Sequence, residues 1–206
     1  KFNWNIIWKK KNYFNIIHSD FPSLLAKLSN EKNIEKLIHV SSLGIEKAVD
    51  SNYAISKLKG EKEVKNNFER SIILKPSLVY SVDDNFTTKL MTLLNRLPIM
   101  PLYYEGKTKF TPIHVTDLTK IIFEVVQGKT NTQTIECVGP EVISFKEIIL
   151  KLLKSIGKKR LLVSLPLPIA KMIAKIFETL PNPLLTTDQL NLLKYDNISS
   201  GKYKTN

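Results

Sequence analysis

Two serines, a tyrosine and a lysine carry the chemistry this sequence offers. Ser41 and Ser42 end a short apolar run, Leu37-Ile38-His39-Val40, and Tyr53 and Lys57 follow it four residues apart. On a helix that spacing makes two side chains neighbours on one face. An ammonium beside a phenol favours the phenolate and lowers its pKa, and a phenol so tuned can give or take a proton at a carbonyl or an alcohol. Ser42 falls just beyond the carboxyl end of a strand, the edge where open α/β sheets bind ligands. A hydroxyl there suits holding the oxygen on which Tyr53 acts. Tyr-x-x-x-Lys alone is a weak signal in a lysine-rich chain, because a surface tyrosine beside a solvated lysine gives the same pattern. The surrounding sequence raises its weight: the motif opens a helix, follows a strand ending in Ser-Ser, and precedes a strand ending in Lys75-Pro76-Ser77.

The elements that must position these residues read as an alternation. Phe14, Ile17, Phe21, Leu24, Leu25 and Leu28 recur near helical spacing, with Pro22 set to kink or restart the helix. Leu37 to Ser41 and Ser71 to Lys75 read as buried strands. Between them Ser51 to Arg70 reads as a helix capped by Asp50 or Ser51. Helix, strand, helix, strand suggests a parallel sheet with crossover helices. Further on, Phe86 to Leu97 and Thr116 to Gln127 read as helices, the second opened by Thr116 and Asp117. Glu105-Gly106-Lys107 reads as a hairpin turn and Thr134 to Val138 as a strand. Ser144 with Glu147 matches a capping box, and Leu162 to Leu165 reads as a strand. Helices over Pro166 to Leu180 and Thr187 to Tyr195 precede a polar tail. The first of these two carries an apolar stripe (Ile169, Met172, Ile173, Ile176, Phe177) beside Lys171 and Lys175. It fits core packing or, in a second reading, docking to a membrane surface or a partner subunit.

Composition narrows the classes. With 206 residues, 43% of them hydrophobic and 24% charged, the chain has material for one core, or one core and a lobe. Its net charge of +12 comes mostly from lysines spread from Lys9 to Lys204, without the clustered basic and aromatic residues of a nucleic-acid binder, so no nucleic-acid partner is expected. There is no apolar run long enough for a membrane span and no signal-peptide pattern near Lys1. Cys137 stands alone, so no internal disulfide is possible and a reducing compartment fits. His18, His39 and His114 show no metal-ligand spacing with Cys137, and no metal site is expected. His39 reads as a core or sheet-face residue and His114 as structural.

The segments Leu37-Ile38-His39-Val40-Ser41-Ser42-Leu43-Gly44, Tyr53 with Lys57, and Leu74-Lys75-Pro76-Ser77-Leu78-Val79-Tyr80 resemble the extended and atypical short-chain dehydrogenases/reductases. The likeness continues through Phe110 to Leu118, Cys137 to Glu141, Leu185 to Leu190 and Tyr195-Asp196-Asn197. There it is closest to the branch of the nucleotide-binding accessory subunit of respiratory complex I and its bacterial relatives. The resemblance implies an α/β fold with a doubly wound, Rossmann-type parallel sheet and a smaller mixed C-terminal lobe. It divides the chain into a dinucleotide-binding part over 1–82 and a substrate or partner lobe over 83–206, with segments near 107–138 returning to the sheet. It implies that Ser42, Tyr53 and Lys57 are catalytic. Ser41, Tyr53, Lys57, Pro76, Ser77, Leu78 and Val79 would contact NAD or NADP. Two functions stay open: a nucleotide-binding subunit docked on respiratory subunits or the inner-membrane surface, and an active oxidoreductase or sugar-nucleotide epimerase. The location implied is cytoplasmic or on the mitochondrial matrix side, peripheral to the inner membrane.

The family opens with a glycine-rich turn that lays the pyrophosphate on a helix N-terminus. The seven glycines here form no such fingerprint. The chain therefore reads as truncated at both ends, starting after the third strand of the family fold. Trp4-Asn5-Ile6-Ile7-Trp8 is then the candidate fourth strand, left as an exposed edge that invites self-association. The isolated chain is expected to dissolve poorly and to hold a dinucleotide weakly.

Overall fold

A computed structural model describes residues 13–130, 132–181, 183 and 185–206. The segment Trp4–Trp8 lies outside the described residues. The first helix starts as α1 (Tyr13–Asn15), widens into a π turn over Ile16–Asp20, and continues as α2 (Phe21–Glu31). Pro22 explains the widening, because proline has no N–H to give and its ring crowds the carbonyl of His18 one turn back. That carbonyl faces Gly60 of α3 (Asn52–Asn67), where a Cβ would collide with it. The helices α2 and α3 thus meet through small groups, with Ser23 and Ala26 buried on one side and Gly60 on the other.

Strand β1 (Leu37–Val40) precedes α3, and β2 (Ser71–Pro76) follows it. A short β3 (Val79–Tyr80) leads to α4 (Asn85–Arg96), β4 (Ile99–Leu102) and a 3₁₀ turn at Tyr103–Gly106. Next come β5 (Lys109–Phe110), β6 (Ile113–His114), α5 (Val115–Val126) and β7 (Thr134–Cys137). The rest is β8 (Ile143–Ser144), α6 (Phe145–Ser155), β9 (Leu161–Ser164), α7 (Leu167–Phe177), α8 (Thr187–Leu192) and β10 (Lys204–Thr205).

The main sheet runs β1-β2-β7-β10, parallel throughout, with Leu74 flanked by Val40 and Ile135. Both faces are covered, as a parallel sheet requires. Ile73 points to Ala26, Val64 and Phe68 of α2, α3 and the turn after it. Ile72 and Leu74 point to Leu118, Ile121 and Val125 of α5. Parallel strands sandwiched by crossover helices make the expected Rossmann-type layer. A second core joins α4, β4 and α6 through Leu94, Met100, Phe145 and Ile149, and α7 packs on α8 through Ala170, Ala174 and Leu190.

Several local expectations change. Strand β2 is buried along its whole length, but β1 is only half-buried, because among the described residues it lies at the sheet edge. The turn at Glu105 makes no hairpin. Tyr104 and Glu105 adopt left-handed conformations, and the flanking strands pair elsewhere, β4 with β9 in parallel and β5 with β8 antiparallel. Helix α5 is capped by His114, whose Nδ1 accepts from the Thr116 N–H, one residue earlier than the Thr116-Asp117 start. The polar tail returns as β10 to pair with β7, so strands from beyond residue 82 complete the sheet.

Candidate functional site

The site forms where β1 and β2 end. The Ser41 N–H donates to the Leu74 carbonyl at 2.7 Å, and the Leu43 N–H to the Pro76 carbonyl at 2.9 Å, so the two chain ends leave the sheet together. Side chains alternate across a strand. Ser41 therefore turns inward and Ser42 outward. The buried Ser41 hydroxyl donates to Glu61 at 2.5 Å, and Glu61 meets the Lys75 ammonium at 3.0 Å. Lys75, buried on β2, also pairs with Glu46 and lies 5.4 Å from the Tyr203 ring. Burial works against its charge, but the bonds to Glu46 and Glu61 win and hold its pKa above the ordinary lysine range.

Ser42 and Tyr53 both line a cleft of about 270 Å³. Tyr53 sits in the first turn of α3, whose cap is Ser51, accepting from the Ala54 N–H at 3.2 Å. The Asp188 carboxylate of α8 takes the next orphan donors, the N–H groups of Asn52 at 2.7 Å and Tyr53 at 3.2 Å, together with the Ser51 hydroxyl at 2.9 Å. Tyr53 packs edge-on against His18 at 5.2 Å and Phe14 at 6.2 Å between centroids. The Ser56 hydroxyl donates to the Tyr53 carbonyl, so the 2.9 Å contact of His18 Nδ1 with Ser56 is a donation from the ring.

Lys57 lies on the same face as Tyr53, as the four-residue spacing requires, but its ammonium is 6.0 Å from the ring centroid and donates to the Val40 carbonyl at 3.1 Å. The expected depression of the tyrosine does not appear. Burial, reinforced by Asp188, raises Tyr53 above the ordinary phenol range against the pull of the Ser42 hydroxyl. Burial also lowers Lys57, with Glu61 opposing. Unlike a bare solvated pair, this is a phenol kept protonated in a partly closed site.

Leu43, Ile45 and Ala48 form one wall of the cleft, and Leu78, Val79 and Phe110 another. Of the residues expected to touch a cofactor, Tyr53, Ser77, Leu78 and Val79 line it, as does Ser42, expected to be catalytic. Ser41 is turned away to Glu61, and Lys57 and Pro76 lie outside the lining. Ser77 is already engaged: its hydroxyl donates to Asn197 Oδ1 at 2.6 Å and accepts from the Thr111 N–H at 3.2 Å. Asn197 also donates through Nδ2 to the Leu43 carbonyl at 2.6 Å, which staples the turns after β1 and β2 to the C-terminal segment. Gly44 has φ +75, and a Cβ there would press on the Asp196 carbonyl, so the close passage of this segment needs glycine.

Asp188, Asp196 and Asn197 were not assigned chemistry from the sequence. The available signal was Thr186 with Gln189, a capping-box pattern that places Asp188 in a first helical turn. Among the described residues no cluster of His, Cys, Asp or Glu has the arrangement of a metal site. The Cys137 thiol is buried and pushed up to about 12 by that burial, so it is no nucleophile.

The fold is α/β with a four-stranded parallel sheet, similar to that of Rossmann-type reductases. In sequence the chain is similar to subunits of respiratory complex I. It is 25% identical over 198 residues to the mitochondrial NADH-ubiquinone oxidoreductase 40 kDa subunit of Neurospora crassa, which covers 95% of this chain and 52% of that subunit. It is 26% identical over 198 residues to the mitochondrial NADH dehydrogenase (ubiquinone) 1 alpha subcomplex subunit 9 of Mus musculus, covering 93% and 52%. The chain spans about half the length of these curated relatives. Among solved structures, a dTDP-4-dehydrorhamnose reductase from Yersinia enterocolitica superposes with a TM-score of 0.66 at 14% identity, covering 95% of this chain and 77% of that one. No family model matches. No helix among the described residues is long and apolar enough to cross a membrane.

Proposed function

We propose that this chain is part of an NAD- or NADP-binding accessory subunit of a complex I-type respiratory assembly. Such a subunit would sit on the matrix or cytoplasmic side, peripheral to the inner membrane. The observation that carries this reading is the likeness to complex I subunits along nearly the whole chain. The residues present suit one end of a dinucleotide. The cleft at the strand ends offers Ser42 and Tyr53 to a nicotinamide-side group, with Lys57 one turn along α3. The phosphates need another seat, because the N–H groups that open α3 are already taken by Asp188 and Ser51. A bound nicotinamide supplies or accepts a hydride. The protein's own part is to shape the cleft, exclude water with Leu78, Val79 and Phe110, and hold a proton on the Tyr53 hydroxyl.

A second reading, an active oxidoreductase or epimerase, is favoured by the placement of Ser42 and Tyr53 together on the cleft lining. Ser42 would orient the substrate oxygen, Tyr53 would move the proton, and Lys57 would assist. One experiment separates the two. The full-length protein is purified from membranes, its bound nucleotide identified, and turnover assayed on carbonyl and sugar-nucleotide substrates. Co-purification with respiratory subunits, nucleotide bound and no turnover, is the outcome expected. A protein that never associates with respiratory subunits overturns the first reading. Turnover that falls by about 10²–10⁴ on Tyr53→Phe establishes the second.

A further inference from the structure

The wall of the cleft has a chemistry that the family likeness does not specify. Leu43, Ile45, Ala48, Leu78, Val79 and Phe110 give it an apolar surface, and Leu192 and Leu193 extend it along the C-terminal segment. Among the described residues, no lysine, arginine or histidine lines it. The lining charge is Asp196, whose Oδ1 accepts the Lys109 N–H at 2.8 Å. Several of the other polar side chains are spent. Ser77 and Asn197 bond each other, and Asn197 also holds the Leu43 carbonyl. Tyr195 also lines the cleft, with the Lys194 ammonium 5.1 Å from its ring centroid, and beside it the cleft offers a ligand the hydroxyls of Ser42 and Tyr53.

A sugar ring fits this poorly. Each ring hydroxyl buried against leucine and phenylalanine would lose its water partners without replacement. A pyrophosphate would meet the Asp196 carboxylate, with no cation among the described lining residues. We infer that the cleft takes the apolar end of an uncharged, lipid-like ketone or alcohol, its single oxygen held by Ser42 and Tyr53. The inference rests on the proposed use of Ser42 and Tyr53 as the ligand-oxygen contact, but not on dinucleotide retention.

The test is calorimetry on the full-length protein with methyl ketones of six, eight and ten carbons, with UDP-glucose, and separately with NADH and NADPH. The ketones are expected to bind saturably, tightening roughly fourfold per methylene until the cleft is full, while UDP-glucose shows no saturation. Leu193→Trp, which narrows the cleft, is expected to weaken the ten-carbon ketone by about tenfold or more. Should that variant fail to fold, methyl NMR of the unaltered protein replaces it. Ketone-induced shifts must then centre on Leu78, Leu192 and Leu193. Saturable UDP-glucose binding, a flat chain-length series, binding of none of these probes, or shifts elsewhere each overturn the inference. Ketone binding without NADH or NADPH binding keeps it and removes the dinucleotide reading. The reverse result removes the inference alone.

Discussion

Asp188 caps the helix that carries Tyr53, although the two residues lie 135 positions apart in sequence. Its carboxylate receives the N–H groups of Asn52 and Tyr53 and the hydroxyl of Ser51. A carboxylate at a helix N-terminus also meets the positive end of the helix dipole. Asp188→Ala should therefore lower stability by about 0.5–2 kcal/mol, the range for a lost N-cap. Asp188→Asn should lose less. Urea unfolding of the three proteins checks this, and equal midpoints would refute the cap.

Gly60→Ala is predicted to destabilise by about 1–3 kcal/mol, the cost of overpacking a close contact. The new methyl would meet the His18 carbonyl, which is backbone and cannot swing aside as a side-chain tip would. Alanine ordinarily favours a helix interior over glycine, so a stabilised variant would show that the π turn and α3 are not this close.

Lys75 is the best-buried charge in the site's foundation. Lys75→Met leaves Glu61 buried without its cation and should cost about 3–5 kcal/mol. Lys75→Met combined with Glu61→Leu should recover much of that loss, because no uncompensated charge then remains at the centre of the network. A double variant as unstable as the single one would contradict the pairing.

The histidines make stability depend on acid. Burial, with Lys57 contributing, lowers His18 and His39 to about 4, against 6.5 for the free side chain. Between those values the unfolded chain binds protons that the folded one refuses, so stability falls as pH drops from 6.5 toward 4. The slope from His39 is at most about 1.4 kcal/mol per pH unit, and His18, closer to solvent, contributes a screened fraction of that. Urea midpoints at several pH values should fall in this window, and His39→Asn should flatten the fall. Equal slopes in both proteins would reject the assignment.

Strands β1 and β2, the capped helix α3 and the Ser42–Tyr53 face were legible because each is local: an apolar run, an i,i+4 spacing, a serine cap. The resemblance added the fold. Much of the cleft wall was not legible. Asn197 acts through Ser77 and Leu43, more than a hundred residues away in sequence, and no short-range pattern carries that. The fate of Ser41 was hidden for a related reason. Alternation says that Ser41 and Ser42 face opposite ways, but not which way, and the choice falls to the distant carboxylate of Glu61. The sign of the Tyr53 shift depended on burial and Asp188, neither visible in the four-residue spacing.

The tail strand β10 has a consequence for how the chain assembles. Glu136 on β7 is buried and bonded to Ser199 and Ser200, the latter 64 residues away in sequence. Everything between them, including α6 to α8, is a loop whose closure must precede this contact. Long-range closure of this kind slows folding. During synthesis β1, α3 and β2 can form while the ribosome still holds the lobe, but the pairing of β10 with β7 waits until Lys204 and Thr205 have emerged. Glu136 spends that interval in an unfinished core, and a chaperone arriving then would find the sheet open at β7.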